Sequence, residues 1–197
     1  MIREFYKGRT ILLTGGTGFY GQALVAKILR DLPGIERLYL LLRPKRQADG
    51  RVFSAAERLD EELFARDAFD RFRREDPRGF AAARQKVSAV DCELGNPGMG
   101  VAEDIRQQLC AEVDLIIAPG ASVVFDEPLD RAIQLNTLGP QELLEFARQC
   151  RKEAVYVHVS TAYVSGRLSG SIAEDPLPLD RNISQMMEGG VPDEPFD

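Results

Sequence analysis

The segment Thr14-Gly15-Gly16-Thr17-Gly18-Phe19-Tyr20-Gly21 limits what this chain can fold into more than any other stretch of it. It is entered from the apolar run Ile11-Leu12-Leu13 and leaves into Gln22-Ala23-Leu24-Val25-Ala26-Lys27-Ile28-Leu29, so it reads as strand, glycine turn and helix. Glycine lets the backbone turn tightly and approach a ligand closely, and the free N–H groups of a helix's first turn carry the positive end of its dipole. Together these make a cradle for a pyrophosphate, and a dinucleotide is the expected ligand. An ordinary glycine turn is the competing reading; the agreement of position, flanking strand and helix speaks against it.

The rest of the chain repeats the alternation. Arg37–Leu42 is a nearly all-apolar strand of the kind buried in a parallel sheet, and 86–91, 114–118 and 154–160 are further strands. Between them lie helical patterns at about 102–110 and 126–151, the second perturbed at Gly139-Pro140 because proline removes an N–H and crowds the preceding turn. The pattern predicts an α/β chain with a doubly wound parallel sheet, a Rossmann fold with helices on both faces. Leu59, Leu63, Phe64 and Phe72 recur at helical spacing among charged residues, which predicts an amphipathic helix over 54–74 within an insert at about 50–84. From Gly166 the periodicity stops and Gly, Ser and Pro accumulate. The expected division is a dinucleotide-binding domain over 1–166 and a loop, or the start of a further segment, over 167–197.

Composition narrows the partners. A 197-residue chain with 44% hydrophobic residues can bury a core, and a net charge of −6 with scattered basic residues gives no footprint for nucleic acid or an anionic membrane face. Charges at Arg3, Glu4, Lys7 and Arg9 interrupt any leader-like apolar stretch, and no run reaches the roughly 18 apolar residues of a membrane span, so the cytosol is the expected compartment. Cys92, Cys110 and Cys150 lack metal-type spacing; they read as small packed thiols, and no metal site is expected. His158, in an apolar strand pattern, reads as a core or strand-end residue.

In dinucleotide folds the end of the second strand discriminates between cofactors: a carboxylate accepts from the ribose hydroxyls, whereas arginine neutralises a 2′-phosphate. That position holds Arg43, with Lys45 and Arg46 beyond it, so NADP(H) is favoured over NAD(H), against the plainer reading of a solvated basic loop. Pro119-Gly120-Ala121-Ser122, after the fourth strand, offers small residues where the nicotinamide ribose would lie against backbone; a simple turn is the alternative.

The glycine spacing, with Thr14 in front and Phe19 after the second glycine, resembles the extended short-chain dehydrogenase/reductases. That resemblance implies that Asp91, with Cys92 beside it, faces the adenine amino group, although an N-cap or turn role for Asp91 is open. It also implies that Thr161, in Ser160-Thr161-Ala162-Tyr163, hydrogen-bonds a substrate carbonyl with Ser160 as its neighbour; Asn136 matches an asparagine common there. The superfamily's proton donor is a Tyr followed four residues later by Lys, and no Tyr-x-x-x-Lys occurs in this chain. Either that pair lies outside these residues or the chain is a binding fold without the chemistry; on either account the isolated chain is expected to bind cofactor without turnover.

Within the superfamily, the chain resembles the fatty acyl-CoA reductases of the male-sterility type. The resemblance rests on Phe5-Tyr6-Lys7-Gly8, Leu41-Leu42-Arg43-Pro44-Lys45, Arg58-Leu59, Val90-Asp91, Val123-Val124-Phe125-Asp126-Glu127-Pro128-Leu129, Asn136 and His158-Val159-Ser160-Thr161, nearly all of 2–166. Pro119-Gly120-Ala121 and Pro140 depart from the family's usual residues. The resemblance implies NADPH-dependent reduction of a fatty acyl-CoA or acyl-carrier thioester, through a hemithioacetal, to aldehyde or alcohol. Three other readings stay open: a thioester-reductase domain of a carboxylic acid reductase or peptide synthetase, a sugar-nucleotide epimerase or dehydratase, and a non-catalytic NADP-binding sensor or scaffold.

Overall fold

Strands apolar on both faces must be covered on both, and the arrangement follows from that requirement. The computed structural model describes residues 1–47, 49–151, 153–165 and 170–174. Two units, Met1–Val159 and Ser160–Asp197, divide the chain. In the first, a short helix α1 (Ile2–Tyr6) precedes β1 (Thr10–Thr14), α2 (Phe19–Asp31) and β2 (Arg37–Leu42). A small hairpin, β3 (Lys45–Arg46) and β4 (Val52–Phe53), leads into α3 (Ala55–Arg58), α4 (Asp70–Glu75) and α5 (Pro77–Arg84). Then come β5 (Val87–Asp91), α6 (Glu103–Glu112), β6 (Leu115–Ala118), α7 (Leu129–Ile133), α8 (Gly139–Gln149) and β7 (Val155–His158).

The five long strands form one parallel sheet in the order β5-β2-β1-β6-β7. Alternate residues feed two cores. Ile11 and Leu13 of β1 with Leu38, Leu40 and Leu42 of β2 pack against Val25, Ile28 and Leu29 of α2 and against the insert. Leu12, Tyr39, Leu41 and Ile116 face the other way, onto Leu109 of α6 and Leu143, Phe146 and Ala147 of α8. Helices therefore cover both faces, as the apolar runs required. The strand order reverses beside β1, and a crevice lies at the carboxyl ends of the strands there.

Two helical expectations are corrected. The insert is not one helix over 54–74: a π-turn (Leu59–Phe64) and a 3₁₀ turn (Asp67–Phe69) follow α3, and α4 stops before Asp76-Pro77. Proline cannot continue α4 but suits the first turn of a new helix, which Asp76 caps by accepting from Gly79 N–H at 2.8 Å. Phe64, Phe69 and Phe72 each pack edge-on or tilted with a neighbouring ring and give the broken insert its own aromatic core. The long helical region starts at Leu129, not 126, and widens into a π-turn over Gln134–Leu138 just ahead of Pro140, which has no N–H to continue the regular ladder.

In the second unit, residues 162–165 make one 3₁₀ turn, with Tyr163 N–H donating to Thr161 Oγ1 at 3.2 Å and Ser165 Oγ to the Ala162 carbonyl at 2.9 Å. Of the segment read as a loop from Gly166 onward, only 170–174 are among the described residues.

Candidate functional site

The crevice is built on the glycine turn. Gly15 sits at φ +62°, and a Cβ there would lie 2.7 Å from Gly120 Cα; a Cβ on Gly21 would land on the Gly15 carbonyl oxygen. Gly18 N–H donates to the Gly15 carbonyl at 3.0 Å, Gly18 caps α2, and the N–H groups of the helix's first residues point out of its open end. This is a surface shaped to let backbone approach an anion. Gly16, by contrast, packs over Leu40 and Leu13 and stands behind the turn.

Thr14 works from inside. Its fully buried hydroxyl accepts the Gly120 N–H at 3.0 Å and so ties the end of β1 to the turn after β6. Thr14→Val is expected to cost about 1–3 kcal/mol by leaving that N–H without its partner. A lowered melting temperature that Thr14→Ser restores is the check. Beyond Gly120, Ser122 is pinned from α7 and the π-turn: its N–H donates to Asn136 Oδ1 at 2.8 Å and its carbonyl accepts from Asn136 Nδ2 at 3.0 Å. The Ser122 hydroxyl donates to Glu127, whose carboxylate is paired with Arg131 at 2.8 Å.

The opposite wall comes from β2, the segment after β5 and the insert. Arg43, half exposed, stands 3.9 Å from Glu93. Arg58 was not singled out from the sequence as a site residue, yet it is the most deeply set cation of this wall, its side chain 13% exposed. It donates to the Arg43 carbonyl at 2.6 Å, to Thr17 Oγ1 at 3.2 Å and to Glu62 at 2.7 and 2.9 Å. One guanidinium thus joins the glycine turn, the Arg43 loop and the insert. Burial pushes the Glu62 carboxyl up, but Lys45 and Arg58 together hold it below its ordinary value.

Lys45 and Arg46 lie on the hairpin, where Lys45 donates to Glu62 at 2.7 Å. Asp91 accepts the Ala55 N–H at 2.7 Å, holding the start of the insert's first helix against the sheet. Cys92, next to it, does line the crevice; burial first, then the charges of Glu93 and Asp91, pushes its thiol up to about 12, so it stays protonated at neutral pH. Ser160 and Thr161 open the second unit.

The crevice holds about 760 Å³ and is lined by Gly15, Thr17, Gly18, Phe19, Tyr20 and Gly21, by Arg43, Arg58, Cys92 and Glu93, and by Gly120, Ala121 and Ser122. Such a volume is in the range of small-molecule and cofactor sites. The Cβ-free cradle, the open helix end and two arginines on one wall fit a phosphate-bearing dinucleotide laid across the crevice. No cluster of His, Cys, Asp and Glu suited to a metal occurs among the described residues, and no helix there is long and apolar enough to cross a membrane.

Known proteins share this design. Fatty acyl-CoA reductase 1 of Arabidopsis thaliana is 36% identical over 185 residues, which is 92% of this chain and 36% of the relative. The alcohol-forming fatty acyl-CoA reductase of Simmondsia chinensis is 32% identical over 93% of the chain and 36% of its own length. This chain therefore spans about a third of either relative. Among solved structures, the terminal R domain of the myxalamid PKS-NRPS pathway superposes with a TM-score of 0.67 at 28% identity, over 87% of this chain and 40% of that one. A reductase domain of a Mycobacterium tuberculosis non-ribosomal peptide synthetase gives 0.62 at 29% identity, over 82% and 35%. Residues 13–194 match the family described as male sterility protein, and the chain belongs to that NAD(P)-binding family of extended short-chain reductases.

Proposed function

We propose that this chain binds NADP(H) in preference to NAD(H) and forms the cofactor-binding part, over residues 1–166, of a reductase for fatty acyl thioesters. The observation that carries the cofactor choice is the pair Arg43 and Arg58 on the crevice wall at the carboxyl end of β2, where no carboxylate follows the strand directly. A guanidinium there pairs with a 2′-phosphate, while a carboxylate would have suited ribose hydroxyls.

Bound NADPH supplies a hydride. What this chain contributes is the turn that seats the pyrophosphate, the arginine wall and the stapled loop of Ser122. In the same reading Thr161, with Ser160 beside it, offers a hydroxyl to the substrate carbonyl. Fatty acyl-CoA as substrate is supported by the relatives at 32–36% identity that carry that activity in their names. The likeness to peptide-synthetase R domains favours, as a second reading, a thioester borne on a carrier protein.

Calorimetric titration of the 197-residue chain is expected to show NADPH bound at least about tenfold more tightly than NADH, since one charge-assisted contact is worth about 1.5–3 kcal/mol. Equal affinities would remove the 2′-phosphate assignment. Acyl-CoA added to the NADPH-loaded chain is expected to leave the 340 nm absorbance unchanged, because the sequence contains no Tyr-x-x-x-Lys; steady oxidation would show a proton donor elsewhere in it.

A further inference from the structure

The two ends of the crevice differ in chemistry. Its β2 side is charged, with Arg43, Arg58 and Glu93. On the β6 side the charges that line it, Glu127 and Arg131, are paired with each other, Val123 and Val124 line the crevice beside them, Phe125 follows, and Phe19 faces the same opening from the start of α2. Phe19 is 93% exposed, Val123 83% and Phe125 95%. Single exposed apolar residues are ordinary, but several at one mouth mark a surface for an apolar ligand. The loop that carries them is also built. Asn136 holds the Ser122 backbone in both directions, and Glu127, tied to Arg131, takes the Ser122 hydroxyl, so 123–125 project from a stapled base.

We infer that Phe19, Val123, Val124 and Phe125 form the contact surface for the acyl chain of the thioester, which makes this domain a determinant of chain length. The inference rests on the cofactor reading above. An acyl chain is favoured over another polar or charged ligand because no charged residue interrupts Ala121 to Phe125 and because the charges beside the strip, Glu127 and Arg131, are paired with each other at 2.8 Å.

The test uses the whole chain, saturated with NADP⁺ so that no turnover intervenes, and measures binding of palmitoyl-CoA, kept below its micelle concentration, against acetyl-CoA. Palmitoyl-CoA is expected to bind at least about tenfold more tightly than acetyl-CoA in the parent chain. Phe125→Ser and Val123→Asn are each expected to cut that preference several-fold, Phe125→Ser without changing acetyl-CoA binding. Phe125 is solvent-exposed and outside the crevice lining, so Phe125→Ser is expected to keep both its fold and its NADP⁺ affinity. Equal binding of the two thioesters, or an unchanged preference in both variants, would overturn the inference while NADP⁺ binding left the cofactor reading standing. A chain that fails to bind NADP⁺ would overturn both.

Discussion

Gly15→Ala is expected to abolish measurable NADPH binding and to destabilise the fold by about 3–5 kcal/mol, while Gly8→Ala costs about 1 kcal/mol and leaves binding intact. Both glycines are left-handed, at φ +62° and +69°, so a methyl group pays a similar conformational penalty at either. The surroundings separate them. Around Gly8 nothing lies within 4 Å of where a Cβ would stand, whereas at Gly15 the Cβ meets Gly120 Cα at 2.7 Å and Gly120 N at 3.0 Å. Those neighbours are backbone, and they are held by the Thr14 hydroxyl, so neither can swing aside as a flexible side chain would. The only relief is to part β1 from the turn after β6, which widens the crevice at its centre. Denaturant unfolding of both variants with NADPH titration is the measurement. Equal destabilisation would mean that φ alone matters at Gly15, and retained binding would mean that the cradle tolerates the wider gap.

The glycine turn and the strands were legible because each depends on local pattern. A central parallel strand has to be apolar throughout, and Arg37–Leu42 can be buried in no other way; the observed β2 has those bounds. The two-faced covering follows from the same runs. The insert was harder to read because Leu59, Leu63, Phe64 and Phe72 do keep helical spacing while the π-turn over Leu59–Phe64, the 3₁₀ turn over Asp67–Phe69 and Asp76-Pro77 break the helix without breaking the apolar rhythm. Arg58 escaped for a different reason. It lies fifteen residues past Arg43 on another element, and only the folding of the insert back over the turn brings its guanidinium to Thr17 and to the Arg43 carbonyl. One signal was present: Ser54 and Glu57 form a capping box, which marks a helix start and puts Arg58 in its first turns. Asp91 shows the reverse. Its place at a strand end was read correctly, but its carboxylate goes to the Ala55 N–H, a contact set by the insert's path and invisible in linear order.

Arg43→Ala and Arg58→Met are expected to weaken cofactor binding in different ways, and the difference tests how the arginine wall is built. Arg43 is half exposed and its ion pair with Glu93 is long at 3.9 Å, so its charge is available to a phosphate and its loss should leave the fold unchanged. Arg43→Ala should therefore weaken NADPH about 10–100-fold and NADH hardly at all. Arg58 has four hydrogen bonds within the protein, three of them to partners other than the Arg43 carbonyl, and it holds the Thr17 hydroxyl of the glycine turn itself. Arg58→Met keeps most of the side-chain volume but releases that turn and leaves Glu62 with Lys45 as its remaining cation. Both cofactors share the pyrophosphate that the turn is proposed to seat, so Arg58→Met should weaken NADPH and NADH together, NADPH more, and should lower stability by about 1–3 kcal/mol. Glu62→Gln then separates the two jobs of Arg58. If the carboxylate serves only to aim the guanidinium, Glu62→Gln loses part of the affinity for both cofactors and keeps the preference for NADPH. If Arg58→Met changes NADPH alone, the guanidinium acts as a second phosphate ligand and its grip on Thr17 is incidental to binding.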